Sequence, residues 1–169
     1  MIGKEAKILL IGGLVSLIVI VVAAFFVTKT GSEATPTSEV LGIEASPASY
    51  DLGNVPINGG IVAKEFEIKN ITDKMLRLKK IATSCMCTTA SVQVGDKTTN
   101  FFSMEMAGDR NPPVNLEIAQ GQTAKVVVNF DPAAHGPTGT GPFARSIWLN
   151  FSDPVGVKEL TFNGNVVSQ

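Results

Sequence analysis

Two hydrophobic patterns divide the chain. Ile8 to Val27 (ILLIGGLVSLIVIVVAAFFV) are twenty apolar or small residues without a charge. As a helix rising about 1.5 Å per residue, that length crosses a bilayer core of about 30 Å. No polar face interrupts the run, which argues against a buried helix of a soluble core. Further along, the period changes to two. In 61–70, Phe66 and Ile68 oppose Glu65, Glu67 and Lys69. In 75–81, Leu76 and Leu78 oppose Arg77 and Lys79. In 123–131, Ala124, Val126, Val128 and Phe130 share a face, with Lys125 and Asn129 opposite. Ile147 and Leu149 flank Trp148, and Leu160, Phe162 and Val166 close the chain. Many short strands separated by Gly, Pro, Asn and Asp predict an all-β protein: a β-sandwich of about 7–9 strands, preceded by one transmembrane helix.

The segments follow from composition. Residues 1–7 are a cytoplasmic head, 8–27 the anchor, 28–41 a flexible tether rich in Thr, Ser, Gly and Glu, and 42–169 the sandwich. Lys4 and Lys7 precede the span and Lys29 follows it, so the N-terminus is expected inside and the domain outside the cytoplasm. A cleaved signal peptide is the competing reading, with Ser32-Glu33-Ala34 as a cleavage site, but the apolar core is longer than such leaders carry. Without Lys4 and Lys7 twelve basic residues remain, and without Glu5 fourteen acidic ones, so the exported part is near −2. That balance argues against a nucleic-acid partner. The expected partners are the bilayer, through Ile8 to Val27, and a protein at the cell envelope.

Several motifs are collinear with a known family. Tyr50-Asp51-Leu52-Gly53-Asn54-Val55, Phe66-x-Ile68-x-Asn70, Leu76-x-Leu78, Thr83-Ser84-Cys85-Met86-Cys87-Thr88, Val126-x-Val128-x-Phe130-Asp131-Pro132 and Leu160-x-Phe162-x-Gly164-x-Val166 follow in order. Together they resemble a bacterial family of exported Ig-like domains of unknown function with a Cys-x-Cys motif, related to hydin-like (ASH) sandwich modules. The resemblance implies an Ig-like fold for the sandwich and an exported, non-catalytic module, and it carries no established activity. Met86 departs from it, standing where Gly is usual, as does Gln120 in place of Pro. The connection 95–113 is also longer than usual.

Cys85 and Cys87 are the only cysteines. In an extended strand, residues two apart have Cα atoms about 6.5–7 Å apart, at the limit for a relaxed disulfide, so a bridge needs a kink or bulge. Three roles stay open: a structural pair, a thiol redox pair, or a soft-metal site. Met104, Met106 and His135 are the candidate added ligands. His135, the only histidine, reads first as an exposed loop residue, and a lone His makes no triad. The run from Gly136 to Pro142 lacks the Gly-Lys-Ser/Thr ending of a phosphate loop. Asn70 is expected to bond its own turn rather than serve as a sequon. Phe101, Phe102 and Trp148 are candidate binding-surface residues, and the stretch 95–113 is expected mainly to pack. No pair of acids is spaced for acid/base work, no cofactor is expected, and the chain is not expected to be an enzyme. The leading function is membrane-anchored binding or scaffolding. The alternative is a thiol redox or Cu(I)-handling module built on Cys85 and Cys87.

Overall fold

The computed structural model describes residues 39–168. The predicted span at Ile8–Val27 lies outside them. Among the described residues no helix is long and apolar enough to cross a membrane.

In chain order the strands are β1 (Ile43–Ser46), β2 (Ser49–Pro56), β3 (Val62–Asn70), β4 (Leu76–Thr83), β5 (Thr88–Val94), β6 (Lys97–Thr98), β7 (Leu116–Ile118), β8 (Thr123–Phe130), β9 (Gly141–Asp153) and β10 (Val155–Val167). Among the described residues that makes ten strands, more than the seven to nine expected, because β6 and β7 are too short to show a period. They form two sheets, in spatial order β1-β3-β8-β5-β6 and β2-β10-β9-β4-β7. β2 runs parallel to β10; the other ladders are antiparallel. The architecture is thus an Ig-like β-sandwich.

Alternation places the core. Phe66, Ile68, Leu76, Leu78, Val126, Ile147, Leu149 and Leu160 are fully or almost fully buried between the sheets. In β4 the register against β9 shifts between Leu78 and Lys80, so Ile81 also turns inward. Such an irregularity resets which side chains face the core. Three rings, Phe130, Phe143 and Phe162, cluster with centroids 4.5–6.0 Å apart. Gly164 makes room for them: a Cβ there would stand 2.9 Å from both the Phe143 ring and the Gly53 carbonyl oxygen. Val40 is buried and its N–H donates to the Val157 carbonyl oxygen at 3.1 Å, so the end of the expected tether joins the sandwich.

The long connection 95–113 packs, as expected. Ala90 and Phe102 exchange backbone hydrogen bonds at 2.8 and 2.9 Å, extending the sheet edge beyond β6. Asn111 then donates to the carbonyl oxygens of Ile81 (3.0 Å) and Ser103 (2.8 Å), tying the segment across to the other sheet. Of the surface candidates, Phe102 is corrected: it belongs to the core, at 7% exposure. Phe101 beside it is half exposed. Trp148 faces away from the core and is half-buried in its sheet.

A candidate redox and metal-ligating site at one end of the sandwich

Almost every connection in this chain crosses between the sheets, and two crossings lie side by side. β4 and β9 are neighbours in one sheet, and β5 and β8 are neighbours in the other. The turn from β4 to β5 and the loop from β8 to β9 therefore bridge the same gap. The first carries Cys85 and Cys87; the second carries His135 and delivers Arg145.

Cys85 and Cys87 are disulfide-bonded, with Cα atoms 5.2 Å apart. The extended-strand spacing expected from sequence does not apply, because both residues sit in a turn. The Thr88 N–H donates to the Cys85 carbonyl oxygen at 3.1 Å, closing it. The buried Thr83 hydroxyl lies 3.0 and 2.9 Å from the carbonyl oxygens of Cys85 and Thr88. The Cys87 N–H points at the Cys85 sulfur, 3.2 Å away. Met86 stands exposed at the tip.

The β8 end is clamped to this turn. The Asp131 N–H donates to the Cys87 carbonyl oxygen at 2.8 Å, and the Asp131 carboxylate accepts from the Ala133 N–H at 2.9 Å. Gly136, at φ +69°, donates its N–H to Ala133 and folds the loop back. Positive φ suits glycine at such a reversal. His135 is exposed, as expected of a loop histidine, yet its Nε2 lies 3.1 Å from the Cys85 sulfur. The Arg145 Nε–H donates to the Cys87 sulfur at 3.2 Å. Its guanidinium also lies 5.6 Å from the Phe143 ring centroid and bonds the Ala144 carbonyl oxygen at 2.8 Å. Partial burial lowers its pKa from the ordinary value, but an arginine stays a cation at neutral pH.

Among the described residues, the ligand atoms of Cys85, Cys87 and His135 all lie within 4.8 Å of one another. The donor brought beside the sulfurs is thus His135. Met106 is exposed on a hairpin closed by its own backbone pair with Asp109, and Met104 is half-buried in the packed strap. Beside the cluster runs a groove of about 340 Å³ lined by Phe130, Asp131, His135, Gly141, Phe143 and Arg145, among others. Sequence reasoning missed Arg145, although its signal is there. Phe143, Arg145, Ile147 and Leu149 share one parity, which puts an arginine on the core-facing side of β9.

Solved structures show the fold's relatives. A crystal structure of a protein of unknown function from Porphyromonas gingivalis superposes with a TM-score of 0.53 at 19% identity, covering 80% of this chain and 51% of that one. The present chain thus spans about half of that protein. The ASH / PapD-like domain 7 of human CEP192 gives a TM-score of 0.45 at 15% identity, covering 82% of this chain and 96% of that one. The CooA pilin subunit of enterotoxigenic Escherichia coli gives 0.43 at 13% identity, covering 76% and 99%. At 19% identity the likeness to the Porphyromonas gingivalis protein is one of fold alone. No curated protein sequence matches. A family model described as protein of unknown function (DUF1573) matches residues 43–99, from β1 through the cysteine turn to β6, and leaves His135 and Arg145 beyond its end. That likeness takes in the Cys85-Met86-Cys87 turn and covers about a third of the chain.

Proposed function

We propose that the chain is a non-catalytic binding module, held on the outer side of the membrane by Ile8–Val27, whose binding end is switched by the redox state of Cys85 and Cys87. The comparisons indicate no catalytic family. The observation that carries the reading is the placement of His135 Nε2 and Arg145 Nε at 3.1 and 3.2 Å from the two bridged sulfurs.

Magnitudes separate a switch from a staple. A disulfide closing a loop of about three residues contributes about 1.6 kcal/mol in the chain-entropy treatment, roughly half of what a 15-residue loop gives. The turn is already closed by the Thr83 hydroxyl and the Thr88 N–H. The bridge therefore adds little to folding, whereas the charged donor at Cys87 favours a thiolate there. In the exchange, a thiolate of an external dithiol attacks the Cys85 sulfur and the Cys85–Cys87 bond breaks. Its electron pair goes to Cys87, where Arg145 donates to the new thiolate. The second thiol then displaces Cys85, the reductant leaves as a disulfide, and its two protons end on the protein sulfurs. A partner would read the changed turn, with Met86 at its tip and the groove beside it.

Equilibration of the detergent-solubilised chain with graded glutathione buffers, followed by alkylation and intact mass, tests the switch. Both cysteines should become alkylated together, with a midpoint above about −300 mV. Arg145→Met should move that midpoint about 30–60 mV more negative, since a hydrogen bond to a charged group is worth about 1.5–3 kcal/mol. A midpoint well below −300 mV, or no shift in the variant, would leave the bridge a plain staple.

A further inference from the structure

We propose that, once reduced, Cys85, Cys87 and His135 form a three-coordinate Cu(I) site that takes one ion per chain. The proposal rests on the redox reading above, because the sulfurs ligate only as thiolates.

The donor set selects the metal. Two thiolates and an imidazole are soft to borderline ligands, suited to Cu(I) or zinc rather than to magnesium or calcium. Donors that each bind at about 2.0–2.3 Å must lie about 3.5–4 Å apart around a shared ion. The three ligand atoms already fall within 4.8 Å of one another. Breaking the disulfide lets the sulfurs separate toward that spacing, while the exposed His135 ring needs only a side-chain adjustment.

Zinc asks for a fourth donor in a closed site. The nearby carboxylate is Asp131, and its Oδ1 is engaged by the Ala133 N–H, outside the three-residue cluster. Charge points the same way. Two thiolates around a monovalent ion leave one negative charge, and the Arg145 guanidinium at Cys87 offsets it. Around zinc the same ligands sum to zero, so the guanidinium would stand uncompensated. A sulfur bound to a metal still accepts a hydrogen bond, so Arg145 keeps its place as an outer partner. Loading balances simply: two thiols and Cu(I) give a bis-thiolate complex and two released protons, with no electron transferred. The oxidised bridge offers no thiolate, so the disulfide switches copper binding off.

The test uses the full chain in detergent, reduced with dithiothreitol, desalted without oxygen and titrated with Cu(I) against a chromophoric Cu(I) chelator. Alkylation of the same sample counts its thiols. The reduced chain should retain one copper and the oxidised chain none, with X-ray absorption reporting two sulfur and one nitrogen neighbours. Cys87→Ser should abolish retention. His135→Ala, a change at an exposed side chain that leaves the fold intact, should weaken binding at least about tenfold and remove the nitrogen neighbour. A chain with two counted thiols that takes no copper, or that takes zinc in preference, overturns the copper site and leaves the redox reading standing. Unchanged binding in His135→Ala overturns it as well. A chain whose cysteines resist reduction sinks both readings together.

Discussion

Phe66→Ala is expected to lower the unfolding free energy by about 3–5 kcal/mol. Phe66 lies on β3 and is fully buried. Tyr50 of the opposite sheet meets it edge-on, with ring centroids 4.9 Å apart and planes at 71°. The Tyr50 hydroxyl reaches back to the Glu65 carbonyl oxygen at 2.6 Å, so one aromatic pair fastens β2 to β3. Truncation removes the transfer energy of a ring, leaves a cavity between two sheets that cannot collapse freely, and adds the loss of an aromatic pair worth about 0.5–1.5 kcal/mol. Urea unfolding followed by Trp148 fluorescence measures it, as a lowered midpoint at unchanged slope. A loss under about 1.5 kcal/mol would mean the sheets do not close on this ring as described.

The second large effect is polar. Asn70→Ala is expected to cost about 2–4 kcal/mol, because it strands one buried and several part-buried groups at once. The Asn70 amide donates to the carbonyl oxygens of Lys74 (2.7 Å) and Ile118 (2.9 Å). Its oxygen accepts from the N–H and the hydroxyl of Thr72, at 2.9 and 2.6 Å. One side chain thus joins the end of β3, its following turn and β7, as expected of a turn-bonding asparagine. Buried, partly satisfied polar groups cost more than an apolar surface would. The same unfolding experiment on Asn70→Ala, Thr72→Val and the double variant should show a coupling of about 0.5–3 kcal/mol. Simple additivity would mean that the network does not act as a unit.

The sequence announces some of these features and hides others for physical reasons. β3, β4, β8, β9 and β10 show themselves because one face of each is wet, so charged and apolar residues alternate with strong contrast. In β5 the same alternation exists, with Ala90, Val92 and Val94 inward. Its outward residues include Ser91, which is buried against the Thr99 segment and donates to its carbonyl oxygen at 3.0 Å. Alanine and serine at these positions make the contrast shallow. The cysteine pair is visible as a motif, but its geometry depends on whether the chain runs straight or turns between Thr83 and Thr88. That is decided by the crossing from one sheet to the other, a matter of topology. The same topology brings His135 from fifty residues away to the Cys85 sulfur, a meeting no local spacing encodes. Arg145 is the exception, since strand parity alone marks it.

The most direct measurement labels the cysteines where the protein resides. Spheroplasts of the expressing cell are treated with a membrane-impermeant maleimide, before and after a membrane-impermeant phosphine reductant, and the chain is weighed intact. The account predicts no label before reduction and two labels after it. Labels without reductant would mean that the cysteines are free thiols, and labels that appear only when detergent opens the membrane would place the domain on the other side; either result contradicts a bridged, extracytoplasmic redox site.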